Sequence, residues 1–149
     1  MIEINNLTTN PIDEEFLKKV AQKVLAGEGK KESELSIALI GQGKMRKLNK
    51  KYLGKNRVTD VLAFPESKAL LEKFKIGPLQ KTQGLGEIVI CLREVKKNAK
   101  KFKVTFKTEL AKVLIHGVLH LLGYNHEKAE KDAEKMRKKE EYYLSQIKF

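Results

Sequence analysis

The sequence predicts an α+β fold, and three features of its hydrophobic pattern support that class. Short apolar runs typical of strands occur only in the first two thirds of the chain, where they alternate with helical patterns. The last third is helical in pattern throughout. One of its segments is apolar around most of its circumference, which is typical of a central helix. We therefore expect a single domain over residues 1–149, with one small sheet of about four strands packed by about five helices.

Five elements are predicted in the first half of the chain. Apolar runs mark three short strands, and apolar residues at three- and four-residue steps mark two helices. Glycines follow both helices as stop signals, and Pro65 closes the third strand. In chain order the elements are a strand at 2–6, a helix at 16–25, a strand at 35–41, a helix at 45–52 and a strand at 61–64.

The second half begins with a long irregular connection at 66–85, in which a helical turn is expected around Leu70 and Leu71. The segment EIVICL at 87–92 is the clearest buried strand. Three helices follow it, and the second of them carries the histidines described below. They are a helix with Leu92, Val95, Ala99 and Phe102 at helical steps, a helix at 106–122 after the N-cap candidate Thr105, and a helix at 129–147.

The charge of the chain favours a polyanionic partner. It carries 31 Lys and Arg against 19 Asp and Glu, for a formal net charge of +12. Such an excess favours RNA or another polyphosphate, because Lys and Arg displace counterions from phosphates. Enrichment in both Lys and Glu is also typical of heat-adapted proteins, which explains a high total charge but not the positive excess.

Several classes of protein are disfavoured by the composition. No run of about 18 apolar residues occurs, so we expect no membrane span and no membrane partner. The first residues lack the basic start and apolar stretch of a secretory signal. Cys91 is the only cysteine, which excludes an internal disulfide and a cysteine metal site. A cytoplasmic location is the expectation.

All three histidines of the chain lie in one stretch, HGVLHLLGYNH at 116–126. His116 and His120 are four residues apart, so their rings share one face of the predicted helix. Gly123 can end the helix in a left-handed turn and bring His126 back toward them. Three histidine ligands with an open fourth position are typical of a catalytic zinc site, and we expect one zinc ion per chain. Nickel or copper would also suit three imidazoles.

Two other interpretations of the histidines are open. A single histidine in an apolar helix is usually a hydrogen-bonded core residue, but here all three fit one metal-binding pattern. The spacing equals that of zinc peptidases of the metzincin class, H-E-x-x-H-x-x-G-x-x-H. Gly117 stands where those enzymes carry the glutamate that acts as general base, which disfavours a peptidase.

The histidine motif and two upstream segments together resemble the YbeY family of endoribonucleases. The segments are TDVLAF at 59–64 and GLGEIVIC at 84–91, and their order is that of the family. The resemblance implies an α+β fold with a small mixed sheet. It also implies a metal-dependent, single-strand-type endoribonuclease that acts in ribosomal RNA maturation and ribosome quality control, with ribosomal RNA and the ribosome as partners.

The resemblance implies roles for five residues of this sequence. His116, His120 and His126 are the implied metal ligands, and His116 is also counted as catalytic. Thr59 and Asp60 match the T-D that opens a family strand beside the cleft, and they are expected to contact RNA. The same pair would also suit a turn and a strand cap.

The chain departs from the family pattern near this site. Glu87 and Asn125 stand where the family usually has Asp, and Leu53 stands where the family has an arginine that is important for cleavage. Lys55 and Arg57 lie close by. We hypothesise that Arg57 or Lys55 reaches the same cleft and binds the scissile phosphate, with Arg57 as the expected catalytic cation. Weaker activity is the alternative consequence of Leu53.

The expected mechanism is attack on a phosphodiester by a zinc-bound water or hydroxide, since zinc lowers the pKa of bound water toward about 7. Activation of the ribose 2′-hydroxyl is the alternative. Basic runs at 44–57 and 96–103 are candidates for guiding the RNA backbone. Two other functions remain open, a zinc peptidase or other hydrolase and a non-catalytic ribosome-binding factor.

Overall fold

A computed structural model describes residues 1–65, 84–125 and 129–149, which form four strands and five helices. The strands are β1 (Ile2–Asn6), β2 (Leu35–Ile40), β3 (Val61–Pro65) and β4 (Gly86–Cys91). The helices are α1 (Glu14–Gly27), α2 (Gln42–Leu53), α3 (Leu92–Phe102), α4 (Phe106–Leu121) and α5 (Glu130–Ser145). The predicted α+β class is confirmed. The turn predicted around Leu70 and Leu71 lies outside the described residues.

The sheet is mixed, and its strand order is β1-β2-β4-β3. The first three strands in this order are parallel, whereas β3 pairs antiparallel with β4 at the edge of the sheet. Within that edge pair Val61 lies opposite Ile90 and Phe64 lies opposite Glu87. The mixed sheet that the family resemblance implied is therefore present.

Both faces of the sheet are covered by helices. Side chains of successive strand residues point to opposite faces, so β2 and β4 read as continuous apolar runs because each face is buried. Ile37 and Ile88 face a larger core shared with α1, α4 and α5. Ala38 and Val89 face a smaller core, to which α2 contributes Met45 and Leu48. Helix α2 is thereby fixed against this face of the sheet.

Helix α4 is the central helix of the fold. Its N-cap is Thr105, as predicted, whose side chain accepts a hydrogen bond of 3.1 Å from the Thr108 amide. Its buried residues include Leu114, Ile115 and Val118, which belong to the larger core. No helix in the described part of the chain is long and apolar enough to cross a membrane.

Helix α3 follows its predicted apolar stripe for three of four positions. Leu92, Val95 and Ala99 are buried, but Phe102 at the end of the helix is 53% exposed. Helix α5 ends at Ser145, slightly before the predicted end, because the amides of Gln146 and Ile147 form a closing turn. Its buried residues are Met136 and Tyr143.

One charged side chain lies inside the fold between two strands. Glu87 on β4 is 1% exposed, and its neighbours across the sheet are Ser36 on β2 and then Glu3 on β1. Burial raises the pKa of Glu87 to about 7; the carboxylate of Glu3 adds to the rise, and the neighbouring Ser36 hydroxyl opposes it. Glu87 is therefore largely protonated in the folded protein below neutral pH.

We expect the Glu87→Gln substitution to remove a pH dependence of stability. The pKa of Glu87 rises from its usual 4.5 to about 7 on folding. At a pH between these two values the folded protein therefore keeps a proton that the unfolded chain has released. Stability is therefore full below the lower value and declines as the pH rises toward the higher one, by roughly 3 kcal/mol. In thermal unfolding the variant should match wild type at about pH 4 and exceed it at about pH 8. A constant difference between the two proteins across this range would contradict the assignment.

Candidate active site

A cleft of about 720 Å³ opens between β3, the loop before β3 and one face of α4. The end of α2 and one residue of α5 complete its lining. Six of the seven predicted site residues line this cleft, and the seventh, His126, lies outside the described residues. The six are Lys55, Arg57, Thr59, Asp60, His116 and His120.

The two described histidines lie side by side on α4. Their ring centroids are 4.7 Å apart, and the ring planes are inclined by 76°. This arrangement follows from the four-residue spacing, which places both side chains one helical turn apart on the same face. Both rings are half-buried in the wall of the cleft. Two imidazoles at this separation can converge on one metal ion.

Helix α4 ends immediately after the histidine pair. The Tyr124 amide donates to the Leu119 carbonyl at 3.0 Å, and the Gly123 amide donates to the His120 carbonyl at 3.0 Å. These two bonds form a Schellman motif, in which the residue with positive φ is usually glycine, and Gly123 has a φ of 103°. The predicted helix-ending turn at Gly123 is present. His126 follows three residues later, and its role as third ligand stays a prediction.

Glu140 on α5 lies outside the histidine motif and contacts the His116 ring. Its Oε1 lies 2.5 Å from His116 Nδ1, and both side chains are partly exposed to the cleft. A carboxylate accepts a hydrogen bond from Nδ1–H, which fixes the ring orientation and makes Nε2 the nitrogen that would bind a metal. Metal-ligating histidines commonly have such a carboxylate partner, so this contact fits a metal site.

Gly117 packs directly against the sheet. A Cβ atom built at Gly117 would lie 3.1 Å from Cγ2 and 3.2 Å from Cδ1 of Ile88, which is closer than ordinary van der Waals contact. Ile88 is fully buried in the larger core. A side chain at position 117 would therefore require Ile88 to shift by a few tenths of an ångström. This tight packing suits glycine, and the absence of the metzincin general base from the sequence counts against the peptidase interpretation.

The loop that carries the two predicted cations is held by Asn49 on α2. Gly54 ends α2 in a left-handed conformation with a φ of 68°. The buried Asn49 side chain then donates to the Arg57 carbonyl at 2.9 Å, and the main-chain carbonyl of Asn49 accepts a bond from the Lys55 amide. Lys55, Arg57 and the 55% exposed Leu53 consequently all line the cleft.

Thr59 and Asp60 lie in the cleft directly before β3. The Asp60 carbonyl accepts a bond of 2.8 Å from the Cys91 amide, so the pair also helps to begin the edge strand. The Asp60 carboxylate accepts longer contacts from Thr59 Oγ1 at 3.5 Å and from Asn98 Nδ2 at 3.4 Å. Both expected roles of the pair, in the cleft wall and at the strand end, are compatible with this position.

A buried acid and a lysine also line the cleft. Glu109 is only 4% exposed, and its Oε1 lies 3.8 Å from Lys112 Nζ. Burial raises the pKa of Glu109; Lys112 opposes that rise and the Asp60 charge adds to it. Glu109 thus brings an acid whose proton is held more tightly than usual to the same wall as the histidines.

Sequence patterns identify some of these additional residues but not others. Glu109, Lys112 and His116 are separated by three- and four-residue steps, so the helical pattern places them on one face of α4. Glu140 lies 24 residues beyond His116, and no local pattern relates the two positions. In the part of the chain that the structure describes, no group of three His, Cys, Asp or Glu side chains is placed to hold a metal.

Comparison with known proteins gives one consistent family. The family model described as Endoribonuclease YbeY matches residues 3–148. A protein named Endoribonuclease YbeY from Thermodesulfovibrio yellowstonii is 46% identical over 114 residues, which are 76% of this chain and 67% of that protein. A protein of the same name from Chlorobium phaeovibrioides is 37% identical over 143 residues, covering 96% of this chain and 88% of that one.

A solved structure has a similar fold over nearly the whole chain. It is the solution structure of the protein TM1509 from Thermotoga maritima, which matches with a TM-score of 0.64 at 30% sequence identity. The match covers 99% of this chain and 89% of that one.

Proposed function

The chain belongs to the YbeY family of endoribonucleases, and from that premise we propose where and how it cuts RNA. The protein is a metal-dependent endoribonuclease of ribosomal RNA maturation, and cleavage takes place in the cleft between β3 and α4. The observation that carries this proposal is that six residues predicted from separate motifs line this one cleft. They combine metal-binding imidazoles with cations, the two components needed for metal-assisted cleavage of a phosphodiester.

The metal site consists of His116, His120 and His126 with one zinc ion. The adjacent rings on α4 support the first two ligands, and the sequence spacing supports the third. The contact between Glu140 and His116 supports a metal-binding role, because it orients the ring and raises its basicity. When bound, the ion acts as a Lewis acid toward the phosphodiester and makes a water nucleophilic at neutral pH.

Arg57 and Lys55 bind the phosphate in the cleft. Both side chains are exposed and line the cleft, and neither forms an ion pair with residues 1–65, 84–125 or 129–149. A guanidinium can donate two parallel hydrogen bonds to phosphate oxygens, whereas an ammonium acts as a point charge. Arg57 therefore stabilises the charge that develops during cleavage, and Lys55 attracts the RNA backbone.

Single-stranded RNA is the substrate, and the ribosome is the setting in which the protein meets it. The net charge of +12 favours a polyanion. The end of the lysine-rich helix α2 lines the cleft, and the lysine-rich helix α3 contacts the cleft residue Asp60 through Asn98. An enzyme of ribosomal RNA maturation works where ribosomes are assembled, so we place the protein in the cytoplasm.

Two alternative functions are weaker. A metzincin-type peptidase needs a glutamate at position 117, where this chain has a glycine packed closely against Ile88. A non-catalytic ribosome-binding factor would need the positive charge but not the pairing of histidines and cations in one cleft. Removal of the metal distinguishes the two functions, because it should abolish RNA cleavage by a nuclease but leave ribosome binding by such a factor intact.

The experiment is metal removal followed by cleavage of a labelled single-stranded ribosomal RNA fragment. We expect the purified protein to cut the fragment, the chelated protein to lose at least ~10³-fold in rate, and stoichiometric zinc to restore the rate. The same fragment annealed into a duplex and a DNA strand of the same sequence are the matched controls. Cleavage that persists in full after chelation, or binding to ribosomes without any cleavage, would contradict the proposal.

A further inference from the structure

Phe102 is an exposed aromatic side chain at the end of α3. It continues the apolar stripe of Leu92, Val95 and Ala99, but those residues are buried and Phe102 is 53% exposed. A large apolar ring on the surface is ordinary when it stands alone. The surroundings of this ring are what distinguish it.

Lysines surround the ring. Lys101 Nζ and Lys112 Nζ each lie 5.7 Å from its centroid, within the range of a cation–π contact. Lys100 and Lys103 are the next lysines along the chain, and both are exposed. Within the ranges 1–65, 84–125 and 129–149, neither these two nor Lys101 forms an ion pair with a carboxylate. The ring therefore lies beside three exposed lysines without a carboxylate partner in these ranges, whereas Lys112 pairs with Glu109 at 3.8 Å.

Lys103, directly after Phe102, has a left-handed backbone conformation that glycine usually adopts. Lys103 has a φ of 57°, a left-handed conformation that costs a non-glycine residue on the order of 1 kcal/mol. It is the residue at which α3 ends, and the Val104 amide then bonds back to the Ala99 carbonyl at 3.0 Å. A glycine would relieve the cost but would remove a lysine beside the ring.

Lys112 connects the ring to the active-site cleft. It contacts Phe102 and also lines the cleft. It precedes His116 by one helical turn on α4, about 6 Å along the helix axis. A strand that passes over Phe102 and Lys112 therefore enters the cleft beside the histidines.

We propose that Phe102 is a stacking platform for an unpaired base of the single-stranded RNA substrate, with Lys100, Lys101 and Lys103 binding the adjacent phosphates. The inference rests on the proposed function and adds a binding subsite outside the cleft. An aromatic face with flanking cations is the chemistry that binds single-stranded nucleic acid without reading its sequence. Bases of a duplex remain stacked on each other, so the platform selects unpaired RNA.

The first test uses tryptophan as a local probe. The chain contains no tryptophan, so Phe102→Trp introduces a single fluorophore at the platform. Titration with a short oligouridylate should quench its fluorescence, because a stacked base lies against the indole. Phe149→Trp is the matched control, since Phe149 is 60% exposed and packs against Phe16, away from the cleft lining. Quenching in neither variant, or equal quenching in both, would overturn the proposal.

The second test separates stacking from simple apolar contact. We expect Phe102→Ala and Phe102→Leu to bind single-stranded oligouridylate about 10-fold more weakly than wild type, and Phe102→Tyr to bind as wild type does. Phe149→Ala should leave binding unchanged, and a duplex should bind Phe102→Ala and wild type equally. Wild-type affinity of Phe102→Ala for the single strand would overturn the proposal.

These experiments distinguish a failure of the stacking platform from a failure of the proposed function. The oligonucleotide is recovered after each titration and checked for cleavage. If RNA quenches the fluorescence of the Phe102→Trp protein but the protein never cuts RNA, the result would support the stacking platform and contradict the proposed function. If cleavage instead depends on the histidines and is equally fast in wild type and in the Phe102→Ala variant at subsaturating RNA, the result would support the proposed function and contradict the stacking platform.

Discussion

The His120→Ala variant is expected to lose zinc and to cleave single-stranded RNA at least ~10³-fold more slowly than wild type. His120 lies beside His116, with ring centroids 4.7 Å apart, and two of the three proposed ligands would not hold a zinc ion tightly. The transition state then loses a Lewis acid that contributes several kcal/mol. Zinc content measured beside the cleavage rate checks both consequences.

Folding of this variant is expected to be unaffected, which makes the result interpretable. His120 is half-buried, and alanine is a better helix former than histidine. Glu140→Gln is a graded comparison, because it keeps all three proposed ligands and removes only the carboxylate partner of His116. That change should weaken zinc binding about 10- to 100-fold. Equal cleavage by wild type and His120→Ala, prepared side by side, would contradict the metal-centred mechanism.

The fold was predictable where local patterns determine it. The Thr105 cap, the apolar pattern of α4 and the Gly123 turn are properties of neighbouring residues, and each is present as predicted. The order of the strands was not predictable from the residues, because pairing depends on contacts between distant segments. The antiparallel β3 at the sheet edge illustrates this, since Val61 meets Ile90 from a position 29 residues earlier in the chain.

The candidate site was predictable to a similar degree. Three histidines in one motif indicate a metal whatever the surrounding fold. The carboxylate of Glu140 carries no such signal, because α5 reaches His116 only through tertiary packing. The burial of Glu109 is also a property of the packed structure, since an acid in the first turn of a helix is ordinarily exposed and favoured by the helix dipole.

Gly117 shows how one residue can be explained at both levels. In the sequence it is the missing general base of a peptidase motif. In the structure it is a contact between α4 and the sheet, where a Cβ atom would lie 3.1 Å from Ile88 and require that side chain to shift. The close approach brings α4 against β4 and so helps to position the histidines beside β3. The glycine at position 117 therefore bears both on how α4 packs against the sheet and on which reaction the histidine motif can support.

The Arg57→Ala variant is expected to cleave RNA about 10²-fold more slowly than wild type while retaining zinc. Arg57 lines the cleft beside the histidines, and Asn49 holds its backbone there with a bond of 2.9 Å. Its guanidinium is suited to the charge that develops on phosphate oxygens in the transition state. Lys55→Ala is the matched control, since Lys55 lines the same cleft but carries a point charge. We expect it to weaken RNA binding with a smaller loss of the maximal rate.

The position of Leu53 permits a rescue of the same defect. Leu53 is 55% exposed, lines the cleft and stands where the family resemblance implies an arginine. If a guanidinium in this cleft is what cleavage requires, Leu53→Arg should restore most of the rate lost in Arg57→Ala. A leucine-to-lysine change at the same position is the control, because it restores the charge without the paired donors. An Arg57→Ala protein that cleaves at the wild-type rate would assign the phosphate contact to Lys55 instead. A defective Arg57→Ala protein that neither substitution rescues would show that the guanidinium must come from the Asn49-held loop.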